Sequence, residues 1–280
     1  MGVDLHVHTT VSDGTVNPTE CIKRAVSLGL EAISITDHDT VEGLEEATQE
    51  ALKHPGFTFI PGIELSSDYF GTEVHILGYY IDYKEKGLRD FIQEMKLDRE
   101  ERSKKIIKKL NALGINIIYE DLKNNRKGCT IGRAHIAQRI VKLGYATNIQ
   151  SAFDKYLIKG QLAYVPRNKI TPVQAIEVIN QARGLPVLAH PIFLEDKNQI
   201  TNVLGQGFIG VEVEYPNQSK KFKSWLKLKA QEMELIATGG SDFHGDLKET
   251  QLGESTVEFS VVKDLQKLKG ERNNAIFKKD

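Results

Sequence analysis

Residues 4–14 read DLHVHTTVSDG, and the spacing of their polar groups governs how the rest of the chain is read. In an extended strand, side chains two apart point the same way. His6 and His8 therefore project together from the end of a short apolar run made by Val3, Leu5 and Val7. Two imidazoles converging on one point suit a metal ion, and Asp13 and Gly14 follow closely in the next turn.

The same placement recurs along the chain. EAISITDHDT sets Asp37, His38 and Asp39 directly after an apolar strand pattern, and FTFIPGIELSS ends a strand at Glu64. EVHILGYY carries His75 inside an alternating strand, PVLAHP ends at His190, and ELIATGGSDFHG ends with Asp242 and His244, a second pair two apart. Six of the eight histidines thus fall in or just after strand patterns, where scattered surface histidines would not.

Each residue alone has a structural reading. A single histidine at a strand end reads more readily as a hydrogen-bonded structural residue, and Asp37 or Asp39 is expected to cap the following helix. Their conjunction changes the reading. So many ionisable groups beside apolar strands would be costly to bury uncompensated, whereas divalent cations neutralise the carboxylates and use neutral imidazoles as donors. The candidate ligands are His6, His8, Asp13, His38, Glu64, His75, His190, Asp242 and His244. They exceed what one ion accepts, so two or three ions are expected. With no thiolate in the set, Mn²⁺ is the expected metal, with Fe²⁺ or Zn²⁺ as alternatives.

Around these groups the chain alternates strand and helix. Candidate strands end near His8, Asp37, Glu64, Tyr80, His190, Glu214 and Gly239. Asn17, Pro18 and Glu20 give the first helix a start signal, and TPVQAIEVINQARG repeats a Thr-Pro start and a Gly stop. This is the pattern of α/β architecture with a largely parallel sheet, and about seven strands fit a barrel. It breaks once, from about Lys84 to Lys169, where only helical stretches are found. A discontinuous barrel over 1–84 and 166–280 is expected, with a helical insertion over 85–165 covering the active site.

Composition bounds the rest. The 280 residues, 40% apolar and 27% charged, are ordinary for a soluble globular protein, and no apolar run approaches the ~18 residues of a membrane span. No secretory signal is visible, and Cys21 and Cys129 form no paired motif, so a reducing, cytoplasmic location is expected. The net charge of −1 conceals an asymmetry. Residues 84–169 hold 20 Lys/Arg against 9 Asp/Glu, while the remainder holds 17 against 29. A basic segment in an otherwise acidic chain points to an anionic partner, with a solvated, salt-bridged helix face as the plainer reading. Within it, Arg133 and His135 stand near a helix start and Arg167 lies where the chain returns to the barrel. All three are candidate phosphate contacts. Surface salt bridging serves equally for the arginines, and packing serves for His135. Tyr164 could stack a base or belong to the core.

DLHVHTTVSDG, ITDHD, GIE, VHILGY, LAHP and GGSDFHG, in this order, resemble the motifs of the PHP (polymerase and histidinol phosphatase) family. The resemblance implies a distorted (β/α)7 barrel with a trinuclear site. Carried over, His6, His8, Glu64 and Asp242 would hold one metal. Glu64 would bridge to a second held with His75 and His190, and Asp13, His38 and His244 would hold a third. A hydroxide bridging the ions, held by Glu64, Asp242 and His190, would be the nucleophile. A basic mid-chain insertion is similar to the nucleotidase branch, whose members act on 3′,5′-bisphosphorylated nucleosides or trim short RNAs from the 5′ end. A metal-dependent phosphoesterase acting on a phosphorylated nucleotide or short oligonucleotide is therefore expected, with no membrane and no obligate protein partner. The alternatives are a histidinol-phosphate-type phosphatase, an amidohydrolase and a non-catalytic metal-binding module.

Overall fold

Along β1 (Val3–Val7), Val3, Leu5 and Val7 share one face and Asp4 and His6 the other, and every residue is buried. That is possible only for a strand covered on both sides. The computed structural model, which describes residues 2–124, 131–166, 170–194 and 196–276, shows how. β1 is followed by β2 (Ala32–Ile35), β3 (Thr58–Tyr69), β4 (Thr72–Tyr79), β5 (Leu185–Leu188), β6 (Gly210–Glu214) and β7 (Ile236–Gly239). The seven strands form one sheet in chain order. Neighbours run parallel except on the two sides of β4, which is antiparallel to β3 and to β5.

The sheet curls until its ends meet. The His8 N–H donates to the Phe243 carbonyl at 2.8 Å, and Val7 bridges Phe243 in parallel just past β7. The approach is close enough to need glycine, since a Cβ on Gly240 would lie 2.4 Å from the His6 nitrogen. The result is a nearly closed (β/α)7 barrel, the fold class read from the sequence. Val3, Leu5, Leu77, Tyr79, Leu185 and Val187 share one apolar cluster with residues of the C-terminal helix.

The helices are α1 (Pro18–Ser27), α2 (Leu44–Ala51), α3 (Lys86–Ala112), α4 (Tyr119–Asn124), α5 (Arg133–Lys142), α6 (Ile149–Ala152), α7 (Pro172–Gln181), α8 (Lys197–Leu204), α9 (Lys220–Glu232) and α10 (Phe259–Ile276). α1 starts as its sequence dictates, with the Glu20 N–H donating to Asn17 Oδ1 at 2.8 Å and Pro18 at the first helical position. Thr171 and Gln174 form the reciprocal cap of α7. α2 departs from expectation. Its cap is Gly43 with no side-chain hydrogen bond, and neither expected residue caps it: the helix starts several residues beyond them, Asp37 accepts from the Thr9 N–H and Asp39 from the Ser66 N–H.

The chain packs as two compact units, Met1–Asp90 with Ile170–Asp280, and Phe91–Lys169. Among its described residues the second has helices as its regular elements and its own core, including Ile106, Leu110, Ile131, Ile136, Ile140 and Leu157. Cys21 is a buried free thiol, and Cys129 lies outside the described residues. Among the described residues no helix is long and apolar enough to cross a membrane.

Candidate metal centre

In a parallel barrel the strand ends converge on one rim, and that rim collects the polar residues. His6 lies one residue before the end of β1 and His8 just after it; His38 follows β2. Glu64 lies within the long β3, His190 follows β5, and Asp242 and His244 follow β7. His75 reaches the same place from a strand running the other way. β4 is antiparallel, so its early residues lie at the rim, with His75 paired to Ser66.

Glu64 is the hub. Its Oε1 lies 2.9 Å from His75 Nδ1 and 2.9 Å from His190 Nε2. Its Oε2 lies 3.3 Å from His6 Nε2, 3.1 Å from His8 Nε2 and 2.9 Å from His38 Nδ1. Asp242 Oδ1 sits 3.5 Å from His6 Nε2 and 3.3 Å from His8 Nε2, and those two nitrogens are 3.1 Å apart. Asp13 Oδ1 lies 3.3 Å from His244 Nε2. All nine candidate ligands are thus brought together in the first unit. They fall into overlapping groups: His8, Asp13, His38 and His244; His6, His8 and Asp242; His6, Glu64 and His190; and His38, Glu64 and His75.

The donor set fits divalent ions. Glu64 Oε2, His38 Nδ1 and His8 Nδ1 are buried with no hydrogen-bond partner, although imidazole nitrogens crowd Glu64 Oε2. Lone pairs that face a common space without bonding each other are what coordination requires. Ligands about 2.1 Å from an ion at tetrahedral or octahedral angles stand roughly 3.0–3.4 Å apart, close to the spacing seen around Glu64 and Asp242. The electrostatics agree. Burial would raise the Glu64 pKa, but His38, His6 and His75 hold it well below the usual carboxylate range. Burial pulls His8 down, yet Asp242 and Glu64 outweigh it and push it up to about 9. His75 rises to about 9 for the same reason, through Glu64 and Glu73. In His38 burial wins over Glu64 and Asp13, and its pKa falls to about 4. The cluster demands positive charge, and ions would replace the protons it otherwise holds.

Several residues that orient this cluster were not singled out in the sequence. Glu212, fully buried on β6, accepts from His6 Nδ1 at 2.9 Å and from the His190 N–H at 2.7 Å. It thereby fixes the His6 tautomer so that Nε2 presents its lone pair. The Asp242 carbonyl does the same for His244 Nδ1 at 2.8 Å. On the far oxygen of Asp242, the Tyr215 hydroxyl donates at 2.8 Å and Lys248 Nζ at 2.5 Å, leaving Oδ1 turned to the imidazoles. Asp4 accepts from the His6, Ser241 and Gly253 N–H groups and ties β1 to the loops after β7. Asp37 is no helix cap. It accepts from the Thr9 N–H and hydroxyl and from Ser12, pinning the turn that carries Asp13. Gly14 closes that turn, where a Cβ would lie 2.7 Å from the His8 carbonyl oxygen. His190 and Asp242 both adopt positive φ, 24° and 51°, a strain that belongs with functional sites.

Glu212→Gln is expected to weaken divalent-ion affinity about 10- to 100-fold, because both of its carboxylate oxygens are in use. Competition against a chromophoric chelator reads this directly, and wild-type affinity would deny Glu212 its orienting part.

Of the proposed substrate contacts, Arg133 and His135 begin α5 in the second unit, and Arg167 lies outside the described residues. The Arg133 guanidinium lies over the Phe153 ring at 5.8 Å. His135 is buried, and its Nδ1 accepts from the Gly132 N–H at 3.1 Å as part of the helix cap.

Comparison with known proteins agrees with this geometry. The PHP domain family model matches residues 4–165. A 5′-3′ exoribonuclease from Haemophilus influenzae is 34% identical over 257 residues, covering 90% of this chain and 93% of its own. A 3′,5′-nucleoside bisphosphate phosphatase from Chromobacterium violaceum is 32% identical over 251 residues, covering 86% and 87%. Among solved structures, a candidate metal-dependent phosphoesterase from Bifidobacterium adolescentis superposes with a TM-score of 0.86 at 28% identity, covering 95% of each chain. Fold and ligand set together define a metal-centred barrel hydrolase. The chain belongs to the PHP domain family, whose phosphoesterases depend on metal ions for the hydrolysis of phosphoric esters.

Proposed function

We propose that this phosphoesterase hydrolyses phosphate esters of nucleotides, either in 3′,5′-bisphosphorylated nucleosides or at the 5′ end of short oligoribonucleotides. The observation that carries the reading is Glu64, one buried carboxylate shared by five imidazoles at 2.9–3.3 Å and flanked by Asp13 and Asp242. The nine ligands suit about two or three ions, with Mn²⁺ favoured by the imidazole and carboxylate mixture. Such ions would neutralise charge on the phosphoryl oxygens and acidify a water near neutral pH. The names of the two curated relatives support the substrate class.

The chain's own residues do the positioning. Glu64 collects the imidazoles on one point, and Glu212 holds His6 and the His190 backbone in register with it. Tyr215 and Lys248 grip the outer oxygen of Asp242 and so hold its inner oxygen toward His6 and His8. Burial of His6, His8 and Glu64 keeps these groups in a low-dielectric setting, where charge developing on a phosphoryl group is stabilised most.

Phosphate release in Mn²⁺ from adenosine 3′,5′-bisphosphate, AMP and histidinol phosphate, and release of phosphate or nucleotide from a short 5′-phosphorylated RNA, test the reading. Selective turnover of the bisphosphate or the RNA is expected. Turnover of histidinol phosphate alone would reject the nucleotide reading, and no turnover by the fully metallated protein would reject phosphate-ester chemistry. The charge of residues 84–169 supports an anionic substrate, and we assign phosphate contact in that segment to Arg133, while His135, buried and engaged in the cap of α5, takes the packing role. Arg133→Ala in the same assay is expected to raise KM about tenfold.

A further inference from the structure

Beside His75 and His190, on the first unit, lies a small cavity of about 200 Å³ walled by Glu73, His75, His190, Phe193 and Leu194. Phe193 ends the short turn Pro191–Phe193 that follows β5 and leaves 65% of its surface to solvent. Its ring does not lie loose. It meets His190 at 5.2 Å between centroids and 64° between planes, and Tyr215 at 5.8 Å and 85°. His190 and Tyr215 meet in turn at 5.6 Å and 63°. The three rings brace one another edge to face, a favoured arrangement, so an exposed phenyl is held directly against a candidate ligand, His190.

We propose that Phe193, braced by His190 and Tyr215, is the stacking platform for the nucleobase of the substrate, which would lie in this cavity while its phosphate faces the metal centre. The inference rests on the nucleotide reading above and adds how the substrate is oriented. Three observations direct it to a base rather than to a phosphate or a whole nucleotide. The carboxylate of Glu73 stands on the wall, repelling phosphate and suiting amino or hydroxyl hydrogens. Val74, Ala189 and Leu194 supply apolar surface around it. The volume is below the about 300 Å³ at which sites for drug-sized ligands begin, so it takes part of a substrate and not all of it. Stacking on one phenyl face also tolerates any base, which suits an enzyme acting on nucleotides of mixed sequence.

The test compares substrates with and without a base. Phe193→Ala is expected to lower kcat/KM for adenosine 3′,5′-bisphosphate, relative to the abasic ribose 3,5-bisphosphate, by about 5- to 150-fold. Phe193→Tyr should restore the ratio. An equal loss on both substrates, or no loss on either, would overturn the proposal. A binding measurement keeps the two readings separate. The fluorescence of 2-aminopurine riboside 3′,5′-bisphosphate should be quenched by the metal-free wild type and by Phe193→Tyr, and not by Phe193→Ala. Equal quenching by all three, or none by the wild type, would remove the platform. If no nucleotide is hydrolysed by the metallated protein, the function falls while the quench still decides the subsite.

Discussion

Glu64→Gln is expected to lower kcat by about 10³-fold or more and to leave fewer than about one ion per chain, since charge stabilisation by such ions is worth several kcal/mol. Among the described residues no other side chain touches five imidazoles. Glu64 Oε1 meets His75 and His190, and Oε2 faces His6, His8 and His38. Glutamine keeps the size but removes the charge and turns one oxygen into a donor, aimed at nitrogens that must offer lone pairs. The amide can still hydrogen-bond neutral imidazoles, so the variant should fold, with far-UV circular dichroism unchanged. Elemental analysis beside a phosphate-release assay separates lost chemistry from lost structure. A Glu64→Gln protein that keeps its ions and turns over normally would remove Glu64 from the centre of the site.

Stripping the protein with a chelator is expected to abolish turnover and to lower Tm by about 5 °C or more. A ligand present at about 100 times its Kd adds about 2.7 kcal/mol, and each kcal/mol is worth about 2–4 °C in a chain of this size class. Reloading should restore both. The affinity carries a pH sign as well. His8 and His75, pushed up to about 9 by their carboxylate neighbours against the pull of burial, must lose protons before they can coordinate. Ion binding should therefore release protons and weaken as pH falls, readable with a pH indicator in weak buffer. Full activity after stripping, with ion content verified as nil, would contradict a metal-dependent mechanism.

What the sequence made legible, and what it hid, divides along physical lines. Period-two spacing drew out His6 with His8 and Asp242 with His244, although only His6 lies inside a strand and Asp242, at φ 51°, reaches the cluster from the segment after β7. The same rule could have found Asp4, which shares a face with His6, and Glu212, which sits between Val211 and Val213 in a buried strand. An acid inside an apolar strand needs a partner, and Glu212 has two. Lys248 could not be read this way. Its contact with Asp242 depends on the short turn Gly245–Leu247 doubling the chain back, and turn geometry is not written in hydrophobic period. Asp37 misled for a related reason. Its placement before a helix is also that of a cap, and only the fold shows Thr9 and Ser12 arriving first. The barrel followed from strand count and alternation, while the reversal of β4, which delivers His75 to the rim, followed from neither.

The most direct single measurement is a titration of metal-stripped protein with Mn²⁺, following phosphate released from adenosine 3′,5′-bisphosphate. The expected result is no release without metal and a rise that saturates near two or three ions per chain, the number proposed for the nine ligands. Release at full rate before any metal is added, or none at any Mn²⁺ concentration, would contradict a multi-ion centre built on Glu64.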